Sequence, residues 1–131
     1  MGLARVKRVS FVHRETVRFR DVDAMGHVNN AVFATYLEQA RIAFLSPNGA
    51  EVEDMILARL EIDFSSPAEQ GETIEIAVTA TRVGTKSFDL EYVVSAAGRV
   101  LAEAKTVLVA YDYATARSVE LPDEWKERLA A

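Results

Sequence analysis

From Asp21 the chain reads Asp-Val-Asp-Ala-Met-Gly-His-Val-Asn-Asn, and from Ala31 it continues Ala-Val-Phe-Ala-Thr-Tyr-Leu-Glu-Gln-Ala-Arg. Two carboxylates (Asp21, Asp23), an imidazole (His27) and two amide side chains (Asn29, Asn30) therefore end where a long apolar segment begins. A helix N-terminus gathers unpaired backbone N–H groups and a partial positive charge. A carboxylate held beside such donors can attack a carbonyl, or activate water against it, while the donors polarise the carbonyl oxygen. No other stretch combines an acid, an imidazole, amides and a helix start so closely.

The elements that must position these groups are legible from periodicity. Glu15 to Arg20 alternates, with Val17 and Phe19 on one side, and predicts a half-buried strand. Gly26 lets the loop turn tightly, and Asn29 or Asn30 caps the helix that follows. Ala31 to Leu45 is apolar over more than one face, which predicts a helix buried on most sides. Ser46-Pro47-Asn48-Gly49 stops it. Four long strands follow. Ile56, Ala58, Leu60, Ile62 and Phe64 share a face in the first, Ile74, Ile76, Val78 and Ala80 in the second, and Phe88, Leu90, Tyr92 and Val94 in the third. Val100 to Tyr111 is partly apolar on both faces, as in a central or interface strand. Turns at Ser65–Gly71, Gly84–Lys86 and Ala97–Arg99 are short enough for antiparallel pairing. Pro122 to Leu129 predicts a short terminal helix. His13 precedes the first predicted strand and receives no role. The class is α+β, and a helix apolar nearly all round needs a sheet that curls about it, a second subunit, or both.

The bulk composition narrows the chemistry. A length of 131 residues suits one domain, here 1–131, and 50% hydrophobic residues supply a core without metal or disulfide support. No cysteine is present, so cysteine nucleophiles, thiolate metal sites and disulfides are excluded. A net charge of −5 argues against nucleic-acid binding. No apolar run approaches the roughly 18 residues of a membrane span, and Met1 to Ser10 lacks the apolar stretch of a secretory signal. The expectation is a soluble cytoplasmic protein with no membrane partner. Asp21-x-Asp23-x-x-Gly26 begins like a calcium loop, but the fifth position is Met25 and the twelfth is Val32, where oxygen ligands are required. No metal is expected. Asp21 reads as a local hydrogen-bonding residue or a partner of Arg20. Glu38 and Arg41, three apart on the helix, read as an ion pair, with a buried supporting carboxylate as the other reading of Glu38.

The run Arg18-Phe19-Arg20-Asp21-Val22-Asp23-Ala24-Met25-Gly26-His27-Val28-Asn29-Asn30, followed by Tyr36-Leu37-Glu38-Gln39-Ala40-Arg41, resembles the 4-hydroxybenzoyl-CoA thioesterase-like branch of the hotdog-fold acyl-CoA thioesterases. Val83-Gly84-Thr85-Lys86-Ser87-Phe88 resembles the turn into that family's next strand. The resemblance implies a curved antiparallel sheet wrapped around one long buried helix. It implies a homodimeric or homotetrameric hydrolase that cleaves an acyl-CoA to a carboxylic acid and CoA. No cofactor is implied, because coenzyme A is part of the substrate. It places the catalytic carboxylate on Asp23 and the backbone oxyanion donor on Asn30. His27 and Asn29 match a His-Val-Asn variant, also found in plant acyl-carrier-protein thioesterases, whose side chains take part in the site. Gly26, Tyr36 and the turn Thr85, Lys86 and Ser87 become substrate-binding candidates, the turn for CoA phosphates.

That chemistry suits these residues. A thioester carbonyl is electrophilic and thiolate leaves readily, so an oxyanion site plus a base or nucleophile suffices. Asp23 can attack directly to give a mixed anhydride, or it can deprotonate water; the two routes are equivalent in sequence. One oxyanion donor is worth about 2.7–4 kcal/mol of barrier. The positive helix end would keep Asp23 ionised at neutral pH. His27 can hydrogen-bond the thioester or orient water. Two rivals use the same groove: a non-catalytic acyl-thioester binding module, and a dehydratase of hydroxyacyl thioesters, which needs a base and an acid across the β-carbon.

Overall fold

The structure is a computed structural model that describes residues 11–46 and 54–130, so the predicted stop at Pro47–Gly49 lies outside the described residues. Strand β1 (Phe11–Thr16) is followed by a 3-10 turn (Phe19–Asp21) and helix α1 (Asn30–Leu45). Then come β2 (Met55–Phe64), β3 (Thr73–Val83), β4 (Ser87–Ala96), β5 (Arg99–Asp112), the two-residue β6 (Arg117–Ser118) and α2 (Asp123–Ala130). The strands form one antiparallel sheet in the order β1-β3-β4-β5-β2, with β6 added to β5.

Alternation along the strands makes one face of the sheet apolar, and α1 lies against it. Ile74, Ile76 and Val78 of β3 and Phe88, Leu90, Tyr92 and Val94 of β4 are buried with Phe33, Leu37, Ala40 and Phe44 of α1. Trp125 of α2 closes one end, edge-on to Phe88 at 5.9 Å. The sheet wraps one long helix, as the hotdog arrangement requires. In the single chain, however, Ala31, Thr35, Glu38 and Gln39 of α1 stay exposed, because α1 packs chiefly on β1, β3 and α2. Arg41 is buried, and its guanidinium reaches the Tyr92 hydroxyl, itself 2.8 Å from Thr106 Oγ1. Burial raises the Tyr92 phenol despite these partners.

Three local expectations are corrected. The first strand ends at Thr16, not Arg20, and Phe19 is 77% exposed. The cause is the Asp21 carboxylate, which accepts the Arg18 N–H at 3.0 Å and pulls the chain into a turn. His13 lies inside β1, on its inward side, where its ring meets the Glu15 carboxylate. In β2 the pairing register slips between Leu57 and Arg59, so Met55 and Leu57, not Ile56, share the inward face with Leu60, Ile62 and Phe64. A bulge at Ala58 inserts one residue and inverts the alternation on either side of it.

Candidate active site

The loop from Arg18 to Asn29 is a small hairpin held at both ends. Asn29 N–H donates to the Asp21 carbonyl (2.9 Å) and Asp23 N–H to the His27 carbonyl (2.7 Å). Gly26, at φ +82°, closes the turn, and its N–H reaches the Asp23 carbonyl at 3.0 Å. Within this turn Asp23 Oδ1 accepts the N–H groups of Met25 (2.8 Å) and His27 (3.3 Å). The carboxylate is thereby oriented while remaining exposed in the single chain. Val28 N–H donates to the Ala68 carbonyl at 2.8 Å, fastening the hairpin to the segment after β2.

Asn29 is the cap of α1, its side-chain oxygen accepting the Ala31 N–H at 2.9 Å. Asn30 is thus the first helical residue, whose amide has no acceptor in its own helix. Asp23, His27 and Asn30 line one cleft of about 310 Å³ together with Val28, Phe33, Phe64, Ser65, Ser66 and Pro67. Phe33 and Phe64 meet edge to face at 5.3 Å and form its apolar wall. A carboxylate, the opening amide of a helix and an aromatic wall on one cleft can seat a carbonyl compound with an apolar acyl group.

Other candidates lie elsewhere. Tyr36 does not face the cleft. It is 1% exposed and its hydroxyl donates to Asp21 Oδ2 at 2.8 Å. Asp21 bonds locally, as expected, but its basic neighbour is Arg18 at 3.5 Å, not Arg20. Burial alone would raise the Asp21 carboxyl. The Arg18 amide, the Tyr36 hydroxyl and the Arg18 guanidinium outweigh it and hold the group below the usual carboxylate range. Burial and the same carboxylate push the Tyr36 phenol far above its ordinary value. Glu38 is exposed and 3.9 Å from Arg41, a loose pair and not a buried support. Thr85, Lys86 and Ser87 sit at the opposite end of the sheet from Asp23. There the Ala110 N–H donates to the Lys86 carbonyl, the Leu121 N–H to the Thr85 carbonyl, and Arg82 to Ser87 Oγ. Phe64 to Pro67, a strand end and turn in the sequence pattern, line the cleft. Nothing local ties them to residue 23, because the contact is made only when β2 returns beside the hairpin.

A curved antiparallel sheet around one helix is the hotdog fold, here with a carboxylate and a helix start on a shared cleft. The family model described as the thioesterase-like superfamily matches residues 17–129, and the chain belongs to that superfamily. A thioesterase from Thermus thermophilus, solved in complex with coenzyme A and Zn, is 36% identical, with a TM-score of 0.80 over 92% of each chain. A 1,4-dihydroxy-2-naphthoyl-CoA thioesterase from Synechocystis superposes with a TM-score of 0.82 at 25% identity, over 92% of this chain and 95% of its own. A 1,4-dihydroxy-2-naphthoyl-CoA hydrolase of Nostoc punctiforme (strain ATCC 29133 / PCC 73102) is 29% identical over 124 residues, 88% of this chain and 84% of that protein. Among the described residues no helix is long and apolar enough to cross a membrane.

Proposed function

We propose that this protein is an acyl-CoA thioesterase in which Asp23 is the base or nucleophile and the Asn30 amide is the oxyanion donor. The observation that carries the reading is the shared cleft of Asp23, His27 and the first residue of α1. The thioester carbonyl oxygen would point at the helix start, where the amide and the helix dipole favour the developing negative charge. On the direct route an Asp23 oxygen bonds the carbonyl carbon, the C–S bond breaks and CoA leaves as thiolate; water then cleaves the mixed anhydride and regenerates Asp23. On the other route Asp23 takes a proton from water as the water oxygen attacks the same carbon; the tetrahedral intermediate then breaks its C–S bond, CoA leaves as thiolate, and Asp23 gives up the proton. His27 lines the cleft beside the attacking group and would orient water or substrate; Asn29 acts through the helix cap, its side-chain oxygen held by the Ala31 N–H, and Gly26 gives the loop its turn. The Phe33–Phe64 wall favours an aromatic acyl group, and relatives named 1,4-dihydroxy-2-naphthoyl-CoA hydrolase agree with that class.

The working form in this reading is a homo-oligomer built on a dimer. Among the described residues β2 leaves one edge unpaired, and its inward residues Leu57, Leu60 and Phe64 remain partly exposed. An uncovered apolar edge invites pairing, and a two-fold axis would run two β2 strands antiparallel. Ser87 is level with Ile56 through Val109, at the strand end opposite Phe64. The axis therefore carries the Thr85-Lys86-Ser87 turn of one protomer to the level of its partner's Asp23 cleft, where Lys86 can meet CoA phosphates.

The test is thiol release from a panel of aromatic and aliphatic acyl-CoAs by the parent and by Asp23→Asn. Asparagine keeps an oxygen for the Met25 and His27 amides but removes the base, so kcat should fall about 10²–10⁴-fold. Equal rates would refute the assignment. Binding without thiol release would favour the binding module, and an enoyl product from a hydroxyacyl thioester would favour the dehydratase.

A further inference from the structure

We infer that Asp21 and Tyr36 form a positioning pair that sets where Asp23 stands relative to the start of α1. Neither residue lines the cleft, yet both are buried, at 4% and 1% exposure, and each is the other's partner at 2.8 Å. Asp21 ties the loop at three points. Its Oδ2 accepts both the Tyr36 hydroxyl and the Arg18 N–H (3.0 Å), and its carbonyl accepts the Asn29 N–H (2.9 Å). These bonds join the entry of the loop, its exit at the helix cap and a side chain on the second turn of the helix. Asp23 stands two residues beyond Asp21, inside the segment so enclosed. The next bond along the hairpin, Asp23 N–H to the His27 carbonyl at 2.7 Å, continues the same ladder. With the Asp21 carboxylate fixed on Tyr36, the hairpin has one placement against α1. Without it, the loop retains its internal bonds and the tie from Val28 N–H to the Ala68 carbonyl, but loses its side-chain anchor on α1 and can shift relative to the helix start.

The consequence for chemistry follows from geometry. Catalytic efficiency depends on near-attack placement, and a displacement of about 1 Å can cost 10²-fold. Tyr36→Phe removes one oxygen and leaves the buried ring in place. It should lower kcat about 10- to 100-fold with KM within about two-fold, because substrate contacts are unchanged while the attacking group is misplaced. This part rests on the thioesterase reading with Asp23 as the attacking group.

The experiment combines kinetics with amide hydrogen exchange on the full chain. In an Asp23→Asn background, Tyr36→Phe should cost no further rate, since a positioning residue acts through the group it positions. Asp21→Asn, which keeps an acceptor for Tyr36, should retain more kcat than Asp21→Ala. Exchange should quicken at residues 21–29 in Tyr36→Phe and stay unchanged in β4 and β5. A kcat within two-fold of the parent, a full additional loss on top of Asp23→Asn, equal losses in the two Asp21 variants, or exchange that quickens uniformly would each overturn the inference. If the parent cleaves none of the acyl-CoAs, the functional reading fails, and the exchange result alone still decides whether the pair holds the loop.

Discussion

Replacing Leu60 by glutamate tests whether β2 is the seam between two protomers. On the inward face of β2, Leu57, Leu60 and Phe64 are 40%, 37% and 44% exposed. Full burial of such a side chain is worth about 1.5–3 kcal/mol, so covering the remaining two fifths contributes about 0.6–1.2 kcal/mol each. The three together give about 2–4 kcal/mol per protomer, and a two-fold axis doubles the figure. In a two-fold interface Leu60→Glu enters twice. It removes the Leu60 share from both sides, about 1–2.5 kcal/mol, and brings two carboxylates into one seam, where like charges repel. A total near ~3 kcal/mol raises the dimer dissociation constant about 100-fold. Since Leu60 is partly open to solvent in the protomer, its own fold should persist. Sedimentation equilibrium over a micromolar concentration series, with thiol release measured on the same samples, is the assay. The variant should be a folded monomer whose activity falls in step with dissociation. A dimer of parental affinity, or a monomer of parental kcat/KM, would refute the reasoning.

Two further outcomes follow from the hairpin. Gly26 sits at φ +82°, and among the described residues no atom lies within 4 Å of where a Cβ would stand, so Gly26→Ala should cost backbone strain alone, about 1–2 kcal/mol in thermal or denaturant unfolding. The pH dependence of stability carries a definite sign. The folded Asp21 carboxyl titrates below its unfolded value. Its contribution is therefore complete above about pH 4 and lost as pH falls through the lower folded value, because the unfolded chain takes up the proton first. The stability difference between the parent and Asp21→Asn should shrink on that acid limb, and denaturant titrations from pH 6 to pH 3 would show it; a difference independent of pH would contradict the assignment.

Sequence by itself determined the class of fold and the chemistry-bearing segment. Strand periodicity depends on side chains two apart and helix capping on neighbours within one turn, so β3, β4, β5, the Asn29 cap and the Gly26 turn were readable from local spacing. Motif resemblance added the role proposed for Asp23, which composition alone does not assign. Tertiary structure decided the rest. Phe19 leaves the first strand because a buried carboxylate two positions on captures a backbone amide. Tyr36 points away from the cleft because that same carboxylate is its partner. Phe64 to Pro67 become the far wall of the cleft because β2 pairs with β5, bringing distant chain beside residues 23–30. A bulge of one residue reverses which side chains of β2 face inward. Each of these depends on contacts between segments far apart in the chain, which local spacing does not encode and which only the assembled sheet fixes.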